Sequence, residues 1–310
     1  MIFVFLDGVG IGKPDAQNPF YAAKTAFLPF YEGASLPDGT PVKAIDATLN
    51  TAGIPQSASG QTSLFSGQNI PALIGGHKGS YPNKIMRKIL KEHNLFKILA
   101  GDGIKGRYIN AYPRHAELFA APNVELDDEG VLHFSEKFPE LFKRRISVTT
   151  CMLIANRTIP FDIPDIEAGR SLFQEFSNKY LNDRGAQLPE FSPEKAGEII
   201  YNVSREYDFI LYEYFQTDVY AHRRTFAETC ELITNLDQLF GKLLSLLDKE
   251  QDTLLMTSDH GNLEDSSTRA HTRNPVPLLV WGKGAGLLRE RINSIADVSP
   301  AIVGFFSQDY

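Results

Sequence analysis

The sequence predicts an α/β protein with a mostly parallel central sheet, helices packed on the sheet, and a small segment inserted in mid-chain. Three observations carry this expectation. Ile2-Phe-Val-Phe-Leu6, Asp208-Phe-Ile-Leu-Tyr212 and Asp252-Thr-Leu-Leu-Met256 are short runs without alternation, as in strands buried on both faces. The stretches between them repeat apolar residues at helical spacing. Acidic residues follow the runs closely, at Asp7, Asp218 and Asp259, at the strand ends where open α/β sheets build their sites.

Composition bounds the function. A chain of 310 residues with 43% hydrophobic content can bury a sizeable core, as one large α/β domain with an insertion or as two domains. The net charge of -7 argues against a general nucleic-acid binder. No apolar run reaches the length of a membrane span, so neither nucleic acid nor membrane is expected as a partner. Cys151 and Cys230 are too few for a disulfide framework, and the N-terminus lacks a basic leader or cleavage site. A reduced, cytoplasmic protein is the expectation.

Taken in order, the first apolar run reads as a central strand delivering Asp7 into a loop that contains Gly8, Gly10 and Gly12. This spacing matches a dinucleotide fingerprint poorly, because Pro14 interrupts before any helix, and no nucleotide cofactor is expected. Asn18-Pro19 starts a short helix. In Pro55-Gln-Ser-Ala-Ser-Gly-Gln-Thr-Ser a cluster of hydroxyls precedes a helical segment. A serine at a helix N-terminus is suited to phosphate binding and to nucleophilic chemistry, and equally to simple capping. Ser57 is the candidate singled out; Ser59, Thr62 and Ser63 are rivals on composition alone.

Asn83 to Asn94 carries Ile85, Met86, Ile89 and Leu90 at helical spacing, and Arg107 to Ala111 reads as the next strand. From about 112 to 189 the pattern changes to mixed Pro, charge and short apolar runs, which reads as an inserted cap between core segments 1–111 and 190–310. Within it Val148 to Ile154 looks β-like, while Arg144, Arg145 and Arg157 are compositional candidates for holding an anionic substrate. Ser192-Pro193 caps a helix. Asp218 and His222, four residues apart, fall on one side of a helical turn, where they can share an ion or simply pair with each other. The helix that follows, with Ile233, Leu236, Phe240 and Leu243 on one stripe, is core. Asp259-His260 follows the last parallel run, His271 and Asn274-Pro-Val-Pro lead into Leu278-Leu-Val-Trp, and Ser299-Pro300 caps a final apolar helix.

Six metal-type side chains result: Asp7, Asp218, His222, Asp259, His260 and His271, with the Ser57 hydroxyl beside them. Three aspartates converging in a partly dry site repel one another unless cations neutralise them, and two divalent ions are the natural count. Imidazole with carboxylate and no thiolate suits Mn²⁺ or Zn²⁺.

Leu6-Asp7-Gly8, Ser57-x-x-Gly60, Asp218-x-x-x-His222, Asp259-His260-Gly261-Asn262 and His271-Thr-x-Asn-Pro-Val-Pro277, in that order, resemble the alkaline phosphatase superfamily, in its branch of cofactor-independent phosphoglycerate mutase and phosphopentomutase. The resemblance implies a three-layer sandwich. It assigns Asp218, His222 and His271 to one metal, Asp7, Asp259 and His260 to the other, and makes Ser57 the nucleophile that is phosphorylated and counts with the metal site. It implies a small phosphorylated substrate and a metal-dependent phosphomonoester hydrolase. The alternatives are a phosphomutase and, in another class, a non-catalytic metal-stabilised binding module. The insertion is shorter than in either mutase, which tilts the expectation toward hydrolysis, because a mutase must shield its phosphoenzyme from water.

Overall fold

The computed structural model describes residues 1–307. A central six-stranded sheet runs in the order β2 (Val42–Ile45), β8 (Val276–Gly282), β7 (Thr253–Thr257), β1 (Ile2–Leu6), β6 (Phe209–Tyr214) and β3 (Gly106–Tyr108). β7, β1, β6 and β3 are mutually parallel, and β8 runs antiparallel to both β7 and β2. β4 (Val124–Leu126) and β5 (Leu132–Phe134) form a separate hairpin.

Helices cover both faces. In chain order they are α1 (Pro19–Ala22), α2 (Ser57–Ser66), α3 (Ile70–Ile74), α4 (Lys84–Glu92), α5 (Leu95–Gly101), α6 (Glu140–Lys143), α7 (Val148–Ala155), α8 (Ile163–Glu167), α9 (Lys179–Asn182), α10 (Pro193–Ser204), α11 (Gln216–Arg223), α12 (Phe226–Leu246), α13 (Ala285–Arg291) and α14 (Val298–Ser307). Side chains of β1 alternate between the two cores: Ile2, Val4 and Leu6 meet Ile199 and Ile200 of α10 and Leu236 and Phe240 of α12, while Phe3 and Phe5 meet Phe65 of α2, Leu99 of α5 and Ile302 of α14. A strand buried on both faces has no polar side, which is why β1, β6 and β7 read as uninterrupted apolar runs. The result is the three-layer α/β arrangement with a mostly parallel sheet that the sequence predicts.

Several local expectations hold at the level of single hydrogen bonds. Asn18 caps α1 and Ser192 caps α10, each with proline in the first turn, and Asn83 caps α4 through the Met86 amide. Two differ. Val148 to Ile154 is helical, not extended: the Ser147 side chain accepts from the Thr150 amide, and all seven residues are buried in the core beneath the sheet. A helix buried all round has no amphipathic period, and its β-branched residues then imitate a strand. Ser299 lies inside α14 rather than capping it, and its hydroxyl donates to the Leu64 carbonyl, tying α14 to α2.

The segment 112–189 contains the β4–β5 hairpin and α6 to α9. Its apolar residues are divided between the two cores, Met152 and Ile154 on the α2 side and Phe161, Ile166 and Leu172 on the α12 side. Leu172 and Phe161 also form bridges to Asn110 and Ala111, extending the line of β3. No helix among the described residues is long and apolar enough to cross a membrane.

One half-buried carboxylate fixes the approach of the N-terminal loop to α12. Asp237 accepts from the amides of Ala26, Phe27 and Leu28 at 3.0, 2.7 and 2.8 Å. Asp237→Ala strands three amides and is expected to lower the free energy of unfolding by about 2–4 kcal/mol. Urea denaturation measures this, and a loss within experimental error of zero would refute the role.

Candidate metal centre

The carboxyl ends of β1, β6 and β7 are neighbours, because β1 lies between the other two. Asp7 leaves β1 directly, and its amide still donates to the Tyr214 carbonyl of β6. Thr217 donates its hydroxyl to the Asp7 carbonyl at 2.5 Å, so α11 starts at a fixed height above β1. α11 then presents Asp218 and His222 on one side, and the loop after β7 presents Asp259 and His260, both fully buried. His271 arrives from the loop before β8.

Two groups of ligand-type atoms meet here. Asp218 Oδ1, His222 Nε2 and His271 Nε2 stand 3.4, 3.2 and 3.5 Å from one another. A point equidistant from three atoms so spaced lies about 2 Å from each, the length of a zinc–nitrogen or zinc–oxygen bond. In the second group His260 Nε2 lies 3.3 Å from Asp7 Oδ1 and 3.7 Å from Asp259 Oδ2. His260 joins the groups: its Nε2 also falls within 4.8 Å of donor atoms of Asp218 and His271, and its ring stacks on that of His271 at 3.9 Å.

The donor set fits divalent cations by two independent tests. Asp7 Oδ1 and Asp259 Oδ2 are buried without a hydrogen-bond partner, an arrangement of anionic oxygens that is costly unless a cation completes it. The three histidines are oriented alike. His222 Nδ1 faces the Arg269 carbonyl at 2.7 Å, His271 Nδ1 faces the Pro55 carbonyl at 3.1 Å and His260 Nδ1 faces the Gly261 carbonyl at 3.3 Å. A carbonyl only accepts, so each Nδ1 carries the proton and each Nε2 turns a lone pair to the centre. The His222 and His271 lone pairs face each other 3.2 Å apart, and a cation between them would relieve their repulsion.

The local field points the same way. Burial, with the charge of Asp259 next, pushes the Asp7 carboxyl well above the usual carboxylate range. Burial opposes protonation of His260, but the charges of Asp259 and Asp7 outweigh it and bring the imidazole up to about 10. Burial, then the charge of His260, pulls His271 down. Without cations the cluster holds itself together with protons.

Geometry also separates the hydroxyls that composition leaves equal. Ser59 is buried and bound to the Lys78 backbone, the Thr62 hydroxyl donates to the Ala58 carbonyl at 2.6 Å, and the Ser63 hydroxyl donates to the Ser59 carbonyl at 2.9 Å. Ser57, the first residue of α2, does not cap it; that position belongs to Gln56, whose side chain makes no capping bond. Its half-buried Oγ lies 3.0 Å from His260 Nε2, and among the described residues the Ser57 and Ala58 amides have no acceptor, so the positive end of α2 faces the centre. Arg144, Arg145 and Arg157 are exposed and make no hydrogen bond or ion pair to these residues among those described.

Of the supporting residues, Asn262 stands in the quoted motif, whereas Glu264 and Glu213 lacked a sequence signal. Asn262 donates to Asp218 Oδ1 at 2.8 Å and lies 3.1 Å from His222 Nε2. Glu264, buried, accepts from the amides of Gly10 and Asn262 at 2.8 Å each and from the side chains of Thr272 and Asn274. It ties the loop after β1 to the single β7–β8 connection that delivers Asp259, His260 and His271. A Cβ at Gly10 would sit 2.4 Å from the Glu264 carboxylate, so that glycine makes room for an acid. Glu213 of β6 lies beneath, accepting from Tyr108 and Thr149, and burial raises its pKa.

Comparisons with known proteins agree with this architecture. Residues 182–310 match the family model of the metalloenzyme superfamily. The 2,3-bisphosphoglycerate-independent phosphoglycerate mutase of Acetivibrio thermocellus is 37% identical over 111 residues, covering 33% of this chain and 21% of that enzyme. That of Pseudomonas fluorescens is 35% identical over 124 residues, 37% of this chain and 24% of the enzyme. The chain thus spans about a quarter or less of the length of these relatives. Among solved structures, alkaline phosphatase from the Antarctic bacterium TAB5 aligns over 99% of this chain and 98% of its own, with a TM-score of 0.54 at 12% identity. Cold-active alkaline phosphatase from Shewanella sp. aligns over 98% and 99%, with a TM-score of 0.52 at 10% identity.

The raised Asp7 and His260 both make the folded, metal-free chain bind more protons than the unfolded chain, so its stability falls as pH rises. The His260 share is complete below the ordinary histidine range and is lost as pH approaches about 10. Cations substitute for these protons. The melting-temperature gap between metal-loaded and chelator-stripped protein is therefore expected to widen from about pH 6 to about pH 9. A gap independent of pH, or no gap at all, would contradict a metal centre here.

Proposed function

We propose that this chain, a member of the alkaline-phosphatase-like metalloenzyme superfamily, is a metal-dependent phosphomonoester hydrolase that works through a phosphoserine at Ser57. One observation carries the reading: the Ser57 hydroxyl, free of the backbone bonds that occupy its rivals, lies 3.0 Å from the histidine that joins the two ligand groups. Asp218, His222 and His271 would hold one divalent ion, Mn²⁺ or Zn²⁺, and Asp7, Asp259 and His260 a second; when bound, the pair supplies Lewis-acid polarisation of the phosphoryl oxygens and lowers the pKa of an adjacent hydroxyl.

The chain's own residues account for the rest. The first turn of α2 holds Ser57 at the edge of the centre and turns the unpaired Ser57 and Ala58 amides toward the place a phosphoryl oxygen takes. Ser57 Oγ gives up its proton to solvent and forms a bond to phosphorus as the bond from phosphorus to the alcohol oxygen breaks, and the alcohol leaves with a proton drawn from solvent. Water then attacks the phosphoserine, the Oγ–phosphorus bond breaks, and inorganic phosphate departs as the Ser57 hydroxyl regains a proton. Asn262 and the backbone acceptors of the three histidines keep the ligands in one orientation through both halves.

Hydrolysis is favoured by the end-to-end correspondence with alkaline phosphatase structures. A phosphomutase is the second reading, favoured by the sequence relatives, which are mutases; in it the phosphoserine passes its group to another hydroxyl instead of water.

With a panel of phosphate esters and added Mn²⁺ or Zn²⁺, inorganic phosphate is expected to accumulate. Mass spectrometry of quenched enzyme is expected to place a phosphate on Ser57, and Ser57→Ala to lose about a thousandfold or more in kcat. Isomerised ester without phosphate release would transfer the assignment to the mutase. Labelling that survives Ser57→Ala would refute the nucleophile.

A further inference from the structure

Three residues on one side of α2 touch the three members of the second ligand group. Ser57 Oγ lies 3.0 Å from His260 Nε2. A Cβ at Gly60 would lie 2.8 Å from the Asp259 carbonyl oxygen and 3.1 Å from the Asp259 Cβ, so the helix rests directly on that residue. The Gln61 side chain donates through Nε2 to Asp7 Oδ2 at 3.4 Å. Positions i, i+3 and i+4 share one side of a helical turn, and here that side is laid against Asp7, Asp259 and His260 together. The chemistry at Ser57 makes no use of Gln61, whose place in this row has another purpose.

Gln61 is 5% exposed, and burying a primary amide is costly unless its hydrogens are used. Its hydrogen bond goes to Asp7, whose other oxygen, Oδ1, is buried without a partner among the described residues and lies 3.3 Å from His260 Nε2. Asp259 is divided in the same way: Oδ1 faces the Gly8 amide at 3.3 Å and the Ser258 hydroxyl at 3.5 Å, while Oδ2 is unpartnered. Asp218 Oδ1 in turn accepts from the Asn262 side chain at 2.8 Å. Each of the three carboxylates is thus anchored by a neutral donor. At position 61 the neutrality matters, because a lysine or arginine would compete with an ion for the charge of Asp7, and a glutamate would add a carboxylate to a group that already holds two. A glutamine fixes the rotation of the Asp7 carboxylate and leaves its charge to a cation.

We infer that Gln61 is a positioning residue for the second ion: its amide holds Asp7 Oδ2, turns Oδ1 toward the centre, and so sets the affinity of the Asp7, Asp259 and His260 group. This rests on the two-ion reading and assigns one of its groups a control outside the ligands themselves. Gln61 stands one turn beyond Ser57, so the helix that carries the nucleophile also orients a ligand of the ion beside it.

Titration of chelator-stripped protein with Mn²⁺ or Zn²⁺ in a calorimeter tests this. Gln61→Met keeps the length of the side chain and removes the donor; Gln61→Asn keeps the amide and draws it back by one methylene. In an Asp218→Ala background, which leaves the second group as the intact one, each is expected to weaken ion binding about ten- to a hundredfold. Gln61→His, which can donate through a ring nitrogen, is expected to recover most of that loss. In an Asp7→Ala background, where the remaining ion belongs to the first group, the same substitutions are expected to change affinity by less than about twofold, because the side chain they act through is gone. In the otherwise intact enzyme, Gln61→Met is expected to lower turnover at limiting metal and to return toward the wild-type kcat in excess metal. The two substitutions disturb packing differently, so a misfolded one leaves the other to decide. Unchanged affinity in the Asp218→Ala background would overturn the inference, as would an equal loss in the Asp7→Ala background, which marks a packing role. Wild type that takes up no divalent ion would overturn the two-ion reading and the inference with it. The phosphoserine reading fails separately, by absence of phosphate release and of Ser57 labelling, and an affinity loss confined to the Asp218→Ala background would stand through that failure.

Discussion

The centre is built on a repulsion. Three carboxylates and three imidazole lone pairs converge where β1, β6 and β7 end, and two of the carboxylate oxygens have no protein partner. Such a cluster is tolerated only if the surrounding fold over-determines it and a positive species completes it. Much of the nearby architecture can be traced to that requirement. β1 must lie between β6 and β7 for their ends to meet, and α11 must begin where Thr217 can reach the Asp7 carbonyl. The loop after β1 and the β7–β8 connection must also be clamped together, which Glu264 does with four hydrogen bonds from within the protein. Glu264 adds a further negative charge nearby, yet both of its oxygens are satisfied by donors. It is thus a brace, whereas Asp7 and Asp259 keep an oxygen in reserve.

The same contrast separates support from chemistry among the hydroxyls of α2. Ser59, Thr62 and Ser63 each spend the hydroxyl on a backbone carbonyl, while Ser57 spends its own on His260, an atom that the cation would also claim. A cation held by His260 would displace that contact and leave the Ser57 hydroxyl free of its histidine.

What the sequence made legible follows the same physics. Strands buried on both faces leave apolar runs, and an acid immediately beyond such a run stands out, so β1, β6, β7, Asp7 and Asp259 could be read directly. Asp218 and His222 were legible as a helical pair, but spacing could not say whether they held an ion or each other; the structure sets them 3.4 Å apart and brings His271 Nε2 within 3.2 Å of His222, a third ligand-type atom that spacing could not show. Spacing likewise could not choose Ser57 over Ser59, because the choice depends on Lys78, nineteen residues away. α7 was misread because a wholly buried helix erases its own period. Glu264 and Gly10 were invisible as a pair, since each is ordinary alone and only the close approach of their loops gives either a purpose.

The arrangement of the histidines argues that the centre is set for metal before any metal arrives. Each Nδ1 proton is directed to a carbonyl from a different chain segment, so no single loop movement could reverse all three. The Arg269 loop grips His222 twice, through its carbonyl on Nδ1 and its guanidinium on the His222 carbonyl, and the Pro55 carbonyl that orients His271 belongs to the loop leading into Ser57. His271 and Ser57 are thus held by one stretch of backbone. A shift of the 51–56 loop would disturb His271 and Ser57 together, and the Arg273 and His77 bonds to that loop hold it in place.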